Sequence, residues 1–315
     1  MKITVLDRNS LGNDTPLEAL YNFGEVEIYD STDESNIYDR IAESDVLVIN
    51  KVKITESVIT AAKNLKLVCV FATGYDNIDV CAAKQKGVAV CNVPGYSTDS
   101  VALFTVATTL ALAAHLHEYN NFVRSGEYSV SGTPNRLVPV YHEIKGKTWG
   151  IVGLGNIGRA VARVAEALGA RVIANKRNPV ADYECVDIDT LCRESDIITI
   201  HCPLNDESRN LINKDTISLM KDDVIIVNEA RGAVVNDHDI VEAVKMNKIA
   251  AFGSDVYTTE PFSCDHPFYE IKDFDNVLLT PHAAWGSYES RARCIGIICE
   301  NIESYINGGN KNRVV

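Results

Sequence analysis

Along the first hundred positions, hydrophobic residues recur in short, nearly continuous runs separated by amphipathic stretches. Lys2–Leu6, Val26–Tyr29, Val46–Asn50, Lys66–Phe71 and Val88–Asn92 read as strands of a sheet covered on both faces. Segments near Pro16–Tyr21, Glu34–Ile41, Thr55–Ala62 and Asp79–Lys86 read as the intervening helices. Strand alternating with helix predicts a parallel, doubly wound sheet. The pattern then changes. Asp99–Tyr119 is mainly apolar and reads as one long helix, capped by Ser97, Thr98 or Asp99, while Ser125–Glu143 reads as a loop. A second series begins at Lys147, with strands at Thr148–Val152, Arg171–Ala174, Ile197–His201, Val224–Asn228, Ala250–Asp255 and Val277–Thr280. The chain closes with a helix, Ser287–Tyr305, that no strand follows, so it is expected to return to the first series. The expected organisation is two parallel-sheet α/β domains: residues 1–99 with 284–315, and residues 100–283 inserted between them.

Composition narrows the class. At ~100–200 residues per domain, 315 residues fit two. With 46% hydrophobic and 23% charged residues, disorder, collagen and coiled coil are excluded. No apolar run reaches the ~18 residues of a membrane span, and Met1–Val5 opens a strand, not a signal peptide, so a soluble protein is expected. Thirty basic against 43 acidic residues give a net charge of −13, which argues against nucleic acid and membrane surfaces as partners. An anionic ligand would need positive groups gathered locally. Nine cysteines without a CxxC pair or zinc-like spacing read as free thiols of a reducing cytoplasm, and no metal site is expected.

The sharpest local signal is the run Gly153, Leu154, Gly155, Asn156, Ile157, Gly158. It follows a predicted strand and opens a predicted helix, the context in which GxGxxG binds a dinucleotide. The pyrophosphate would sit on the helix N-terminus, where N–H groups and the helix dipole favour anions. Many such sites carry an acid about twenty residues further on for the adenosine ribose. Here Lys176 stands eighteen positions after Gly158, with Arg177 next. Two cations suit a 2′-phosphate and offer the ribose no acceptor, so NADP is expected over NAD.

Three polar residues follow apolar strands of the second series, where open α/β sheets bind ligands. Arg231 stands in Asn-Glu-Ala-Arg-Gly, Glu260 in Asp-Val-Tyr-Thr-Thr-Glu-Pro, and His282 in Thr-Pro-His-Ala-Ala-Trp. Each alone has a structural explanation, as an ion pair, a loop charge or a strand-end histidine. Together they suit reduction of a 2-oxo acid: Arg for the oxygens, His for the proton, Glu to orient the imidazole.

At this point the chain resembles the D-isomer-specific 2-hydroxyacid dehydrogenase family over essentially its whole length. The matching segments are Thr73–Asp79, Asn92–Thr98, the glycine run, Cys202-Pro203-Leu204, Ala230-Arg231-Gly232, Asp255–Pro261 and Pro281-His282. The resemblance implies a Rossmann cofactor domain inserted in a flavodoxin-like substrate domain, with Arg231, Glu260 and His282 as the catalytic set. It implies that Gly74 and Tyr75 hold the substrate carboxylate, with Trp285 also at the substrate. It further implies that Asp255 approaches the nicotinamide amide and that Cys202, Pro203, Ser208, Glu229 and Ala230 line the cofactor. The long helix and the loop after it resemble a dimerisation arm, so a homodimer is expected. The Trp three residues after His282 resembles the glycerate dehydrogenase and hydroxypyruvate/glyoxylate reductase branch, which implies a small 2-oxo or 2-hydroxy acid as the partner molecule.

Departures accompany the match. Lys176 replaces a common Asp, Asn205 a common Thr, and Thr105 stands where many members have a Glu-containing segment. Glu229 occupies a position usually held by a small or hydroxyl residue, and an outward-facing side chain would relieve its charge. Two rival readings remain at this level: D-lactate dehydrogenase within the enzyme class, and a non-catalytic dinucleotide-sensing module like the co-repressors of this fold.

Overall fold

The computed structural model describes residues 1–315. The chain divides into two compact units, Met1–Ser97 with Gly286–Val315, and Thr98–Trp285.

In the first unit β1 (Lys2–Val5), β2 (Glu25–Ile28), β3 (Val46–Ile49), β4 (Leu67–Val70) and β5 (Ala89–Cys91) form one parallel sheet in the order β2-β1-β3-β4-β5. That is the flavodoxin-like order, with the topological switch between β1 and β3. β3 and β4 are buried at every position, which is why they read as unbroken apolar runs. Three helices connect the strands: α1 (Ile37–Ile41), α2 (Glu56–Ala61) and α3 (Val80–Lys86). Thr55 and Asp79 cap α2 and α3 through their side chains. The segment expected as a helix at Pro16–Tyr21 is instead a 3-10 turn over Glu18–Phe23.

The second unit begins with α4 (Thr98–Ala113), α5 (Leu116–Arg124) and the short α6 (Glu127–Val130). The single long helix expected here is two, bent by 65°, because His115 takes a left-handed conformation with φ +51°. No single helix is long and apolar enough to cross a membrane. A seven-stranded parallel sheet follows: β6 (Thr148–Val152), β7 (Arg171–Asn175), β8 (Glu184–Cys185), β9 (Ile197–Ile200), β10 (Ile225–Asn228), β11 (Ala251–Ser254) and β12 (Val277–Leu279). Its order is β12-β11-β10-β9-β6-β7-β8, the doubly wound Rossmann arrangement. Helices α7 (Asn156–Ala167), α8 (Ile188–Glu194), α9 (Lys214–Leu219) and α10 (Asp237–Lys245) lie along it, and α4 packs on α7, β10 and β11. Trp149, Phe252 and Phe268 are among the largest side chains fully buried in this unit.

The last helix, α11 (Tyr288–Ile306), returns to the first unit as expected and packs on β4. Asn301, wholly buried on α11, donates from Nδ2 to the Asn92 carbonyl at 3.0 Å and accepts from Asn312 at 2.9 Å. All nine cysteines are free thiols. Burial pushes the Cys91 and Cys202 thiols up to about 11 and the Cys192 thiol up to about 12, so these three are poor nucleophiles.

Candidate active site

The glycine run forms the turn from β6 into α7. Gly153 has φ +96°, and a side chain there would meet the Cys202 backbone nitrogen at 2.5 Å, so the turn lies directly on the loop that follows β9. Gly155 is the N-cap of α7 and makes no side-chain cap; a Cβ added to it would find no atom within 4 Å. Exposed Asn156 and half-buried Ile157 make the first turn, with Gly158 buried behind them. An uncapped N-terminus of a twelve-residue helix, with open space over a glycine, fits the pyrophosphate of a dinucleotide.

The nearby cations are less free than their number suggests. Arg159 is ion-paired with Asp182, and Arg177 with Glu207 at 2.5 Å, the latter pair mostly in solvent. Lys176 donates from Nζ to the Leu154 carbonyl at 3.1 Å, which holds its ammonium against the glycine turn. Across the turn, Cys202 and Pro203 begin the loop after β9. Ser208, expected to line the cofactor, is buried and engaged within this loop: its hydroxyl donates to the Pro203 carbonyl at 2.7 Å and accepts from the Asn205 N–H at 2.8 Å. Asn205 in turn accepts the N–H groups of Glu207 and Ser208.

Arg231, Glu260 and His282 follow β10, β11 and β12, three neighbouring strands. Asn228, the last residue of β10, is fully buried; its amide donates to the Arg231 carbonyl at 3.0 Å and accepts the Ala230 N–H at 3.1 Å. This clamp sets Arg231 in extended backbone just before the 3-10 turn Gly232–Val234. The guanidinium donates to the Ala230 carbonyl at 2.9 Å.

Asp255, next after β11, orients the histidine loop. Its carboxylate accepts from the Thr280 hydroxyl at 2.6 Å and from the N–H groups of Ala283 and Ala284, both at 2.8 Å. Between those anchors His282 sits at φ +54°, a conformation that costs a non-glycine residue on the order of 1–3 kcal/mol. The imidazole Nδ1 is 2.6 Å from Glu260 Oε2, and Glu260 Oε1 accepts the Tyr257 N–H at 3.1 Å. The ring is thereby fixed through one nitrogen, which leaves proton exchange to Nε2.

A second network holds the segment that carries Glu260. Thr258 donates to Asp237 Oδ2 at 2.6 Å and lies 3.1 Å from His266 Nε2, which is itself 3.2 Å from the same carboxylate oxygen. Because the Phe268 N–H donates to His266 Nδ1, the His266 proton resides on Nε2. Nothing in the sequence pattern pointed to this cluster, whose members lie up to 29 positions apart.

Glu229 overturns the expectation that it faces outward. It is only 7% exposed, and neither carboxylate oxygen has a hydrogen-bond partner. Burial, reinforced by the adjacent Asp255 charge, pushes its carboxyl up to about 9, so it is protonated at neutral pH. His201, on the neighbouring strand end, likewise has two buried ring nitrogens without partners, and burial lowers it to about 3. For Glu229 the unfolded chain ionises near pH 4.3 and the folded chain near 9, so the folded state binds the extra proton between those values. Stability should therefore fall with rising pH across that window, on the order of 1 kcal/mol per unit from this group. Thermal melts of the ligand-free protein from pH 5 to 9 should show a steeper decline for the natural protein than for Glu229→Gln. Parallel declines would sink the assignment.

The remaining expected residues are placed as follows. Ala230 is buried behind Arg231, and Trp285 is half-buried at the end of the second unit. Gly74 and Tyr75 lie in the first unit, on the loop after β4, with Tyr75 38% exposed. That loop is pinned at its base: the Thr73 hydroxyl donates to the Val93 carbonyl, and the Asn77 amide to the Asn50 and Val52 carbonyls.

Comparison with known proteins identifies the family. The family model described as "D-isomer specific 2-hydroxyacid dehydrogenase, NAD binding domain" matches residues 106–284. A hydroxypyruvate reductase of Blautia hydrogenotrophica is 38% identical, covering 100% of this chain and 99% of its own. A glyoxylate reductase of Aeropyrum pernix is 36% identical over 93% of this chain and 90% of its own. Among solved structures, an acyclic imino acid reductase (Bsp5) in complex with NADPH and D-Arg superposes with a TM-score of 0.87 at 30% identity, covering all of both chains. The chain belongs to the D-isomer-specific 2-hydroxyacid dehydrogenase family, oxidoreductases built on a nicotinamide dinucleotide-binding domain.

Proposed function

We propose that the protein reduces a small, polar 2-oxo acid of the hydroxypyruvate or glyoxylate kind to its D-2-hydroxy acid. The observation that carries this reading is the His282 imidazole, locked through Nδ1 onto Glu260 at 2.6 Å on a loop that Asp255 pins at three points. When bound, the nicotinamide supplies the hydride. His282 gives a proton from Nε2 to the substrate carbonyl oxygen, and Glu260 stabilises the imidazolium beforehand. Arg231 stabilises charge building on that oxygen and anchors the acid. The backbone N–H groups of Gly74 and Tyr75 are the proposed anchor for the substrate carboxylate, with Trp285 bounding the substrate. Gly153–Gly158, Cys202, Pro203, Ala230 and Asp255 are assigned to the cofactor, and Ser208 to support of the Pro203 loop.

NADP is proposed over NAD. Lys176 lies against the glycine turn where an acid would serve the ribose, and the imino acid reductase neighbour was solved with NADPH. Arg177 supports this less directly, since Glu207 shares its charge. A homodimer through α5, α6 and the segment after them is also proposed. Leu116, Val123, Val130, Leu137, Val138 and Val140 there are each more than half exposed, an apolar density unusual on a monomer surface. Nine free thiols favour a reducing cytoplasm.

The test is oxidation of NADPH and of NADH with hydroxypyruvate, glyoxylate and pyruvate, followed by the loss of reduced-nicotinamide absorbance. Turnover is expected with NADPH, fastest with hydroxypyruvate or glyoxylate. Pyruvate as the preferred substrate would favour a lactate dehydrogenase. A strong NADH preference would overturn the role given to Lys176. Absence of turnover with every oxo acid would favour a dinucleotide-sensing module instead.

A further inference from the structure

Glu229 is a buried carboxyl at the strand ends of the second unit that the proposed mechanism does not use. Its location follows from the sheet register. Ile200, Asn228 and Ser254 pair across β9, β10 and β11, so the next residues, His201, Glu229 and Asp255, form a row at the carboxyl ends of three adjacent strands. Neighbouring strands are about 4.8 Å apart. Glu229 therefore stands between an unpartnered imidazole and a carboxylate that is saturated by the histidine loop. It also lies two residues before Arg231.

Hydride transfer needs the nicotinamide C4 within about 3.5 Å of the substrate carbon, and that carbon must be within reach of Arg231 and His282. Resting on the function proposed above, this brings the nicotinamide to the ends of β10 and β11, beside Glu229. An oxidised nicotinamide carries a positive charge; a reduced one carries none. A neutral, solvent-free carboxyl is the group most sensitive to that difference, because an opposite charge within ~4–6 Å favours ionisation by about 1–3 pH units.

We propose that Glu229 is a charge-sensing residue of the dinucleotide site, which releases its proton to solvent when the oxidised cofactor binds and keeps it when the reduced cofactor binds.

The groups facing Glu229 agree with this assignment. Asp255 at the end of β11 opposes its ionisation, and Tyr257 on the same connection feels its charge. His201 at the end of β9 is held neutral by burial well below the working pH, so it neither supplies a compensating charge nor titrates in the same range. Arg231 donates to the Ala230 carbonyl, on the residue next to Glu229. The arriving nicotinamide charge is then the change that ionises Glu229. Linkage fixes the sign: a proton lost on binding makes affinity for the oxidised form rise with pH, up to about 9, while affinity for the reduced form stays level.

The experiment is calorimetric titration of the purified protein with NADP⁺ and with NADPH in two buffers of different ionisation heat, repeated across pH 6–9. Oxidised cofactor should release a substantial fraction of one proton near pH 8 and bind several-fold to ten-fold tighter at pH 8.5 than at pH 6.5. Reduced cofactor should do neither. The release should vanish in Glu229→Gln and survive in His282→Gln, which separates it from titration of the catalytic imidazole. Equal proton balance for the two forms in the unaltered protein overturns the Glu229 assignment while leaving the dehydrogenase reading intact, and this arm needs no variant to fold. Release that persists in Glu229→Gln also overturns it. Should the NADP forms fail to bind, the same titration is run with NAD⁺ and NADH, and failure of all four to bind would overturn both readings.

Discussion

Replacing His282 by Ala should lower turnover of the preferred 2-oxo acid by about 10²–10⁴-fold, the usual worth of a positioned general acid. The magnitude is large because several contacts converge on this one ring. Asp255 fixes the backbone on its C-terminal side through two N–H groups, and Thr280 links the same carboxylate to the N-terminal side. Glu260 takes Nδ1, so the substrate meets a defined Nε2. Removing the imidazole leaves this scaffold without a proton donor, and water must serve in its place. Dinucleotide affinity should change little, since the cofactor's assigned anchors, on the β6–α7 turn and the β9 loop and at Ala230 and Asp255, do not include the imidazole. The informative readout is therefore kcat against cofactor Kd. Turnover within threefold of the natural protein would refute the assignment of His282, whatever the substrate.

The residues of this centre differed in how readable they were. Arg231, Glu260 and His282 stood out because each follows a short apolar strand, and such runs show even in a bare sequence; β10 and β11 are buried almost throughout, while β12 lies at the sheet edge. The groups that hold them did not stand out. Asn228 reads as the polar end of a strand, and only the structure reveals it as the clamp on Ala230 and Arg231. Asp237, Thr258 and His266 meet because α10 and the segment after β11 fold together, which no local periodicity encodes. Glu229 was misjudged for a related reason. At a strand end the alternation of faces no longer dictates direction, and charge alone suggested solvent where packing has enclosed it. The break in the first long helix was invisible because it falls at His115 without a glycine or proline to mark it. β8 escaped notice because it has two residues at a sheet edge.

A single methyl group at Gly232 should be the most damaging small change in the second unit. A Cβ built there would lie 2.0 Å from the Tyr257 carbonyl carbon, 2.3 Å from its oxygen and 2.4 Å from the Thr258 nitrogen. These are backbone atoms, so no side chain can rotate out of the way, and the 257–258 peptide must move by more than an ångström. That peptide is held from both sides: the Tyr257 N–H donates to Glu260, and Thr258 donates to Asp237. Overpacking usually costs about 1–3 kcal/mol where side chains can yield, and a rigid backbone contact belongs at or above the top of that range. For a unit of this size each kcal/mol is worth about 2–4 °C, so Gly232→Ala should lower the melting temperature by roughly 10 °C or more. Any folded fraction should be poorly active as well, since the displaced peptide adjoins the Tyr257 N–H, which makes the Glu260 contact that fixes His282. Gly155→Ala supplies the contrast. Its Cβ would meet nothing within 4 Å, so the melting temperature should hold while dinucleotide affinity falls, because the methyl occupies the space over the α7 N-terminus. Should Gly232→Ala melt like the natural protein and turn over normally, the tight packing of the Gly232 turn against the Tyr257 peptide would be refuted, and with it this account of how Glu260 is held.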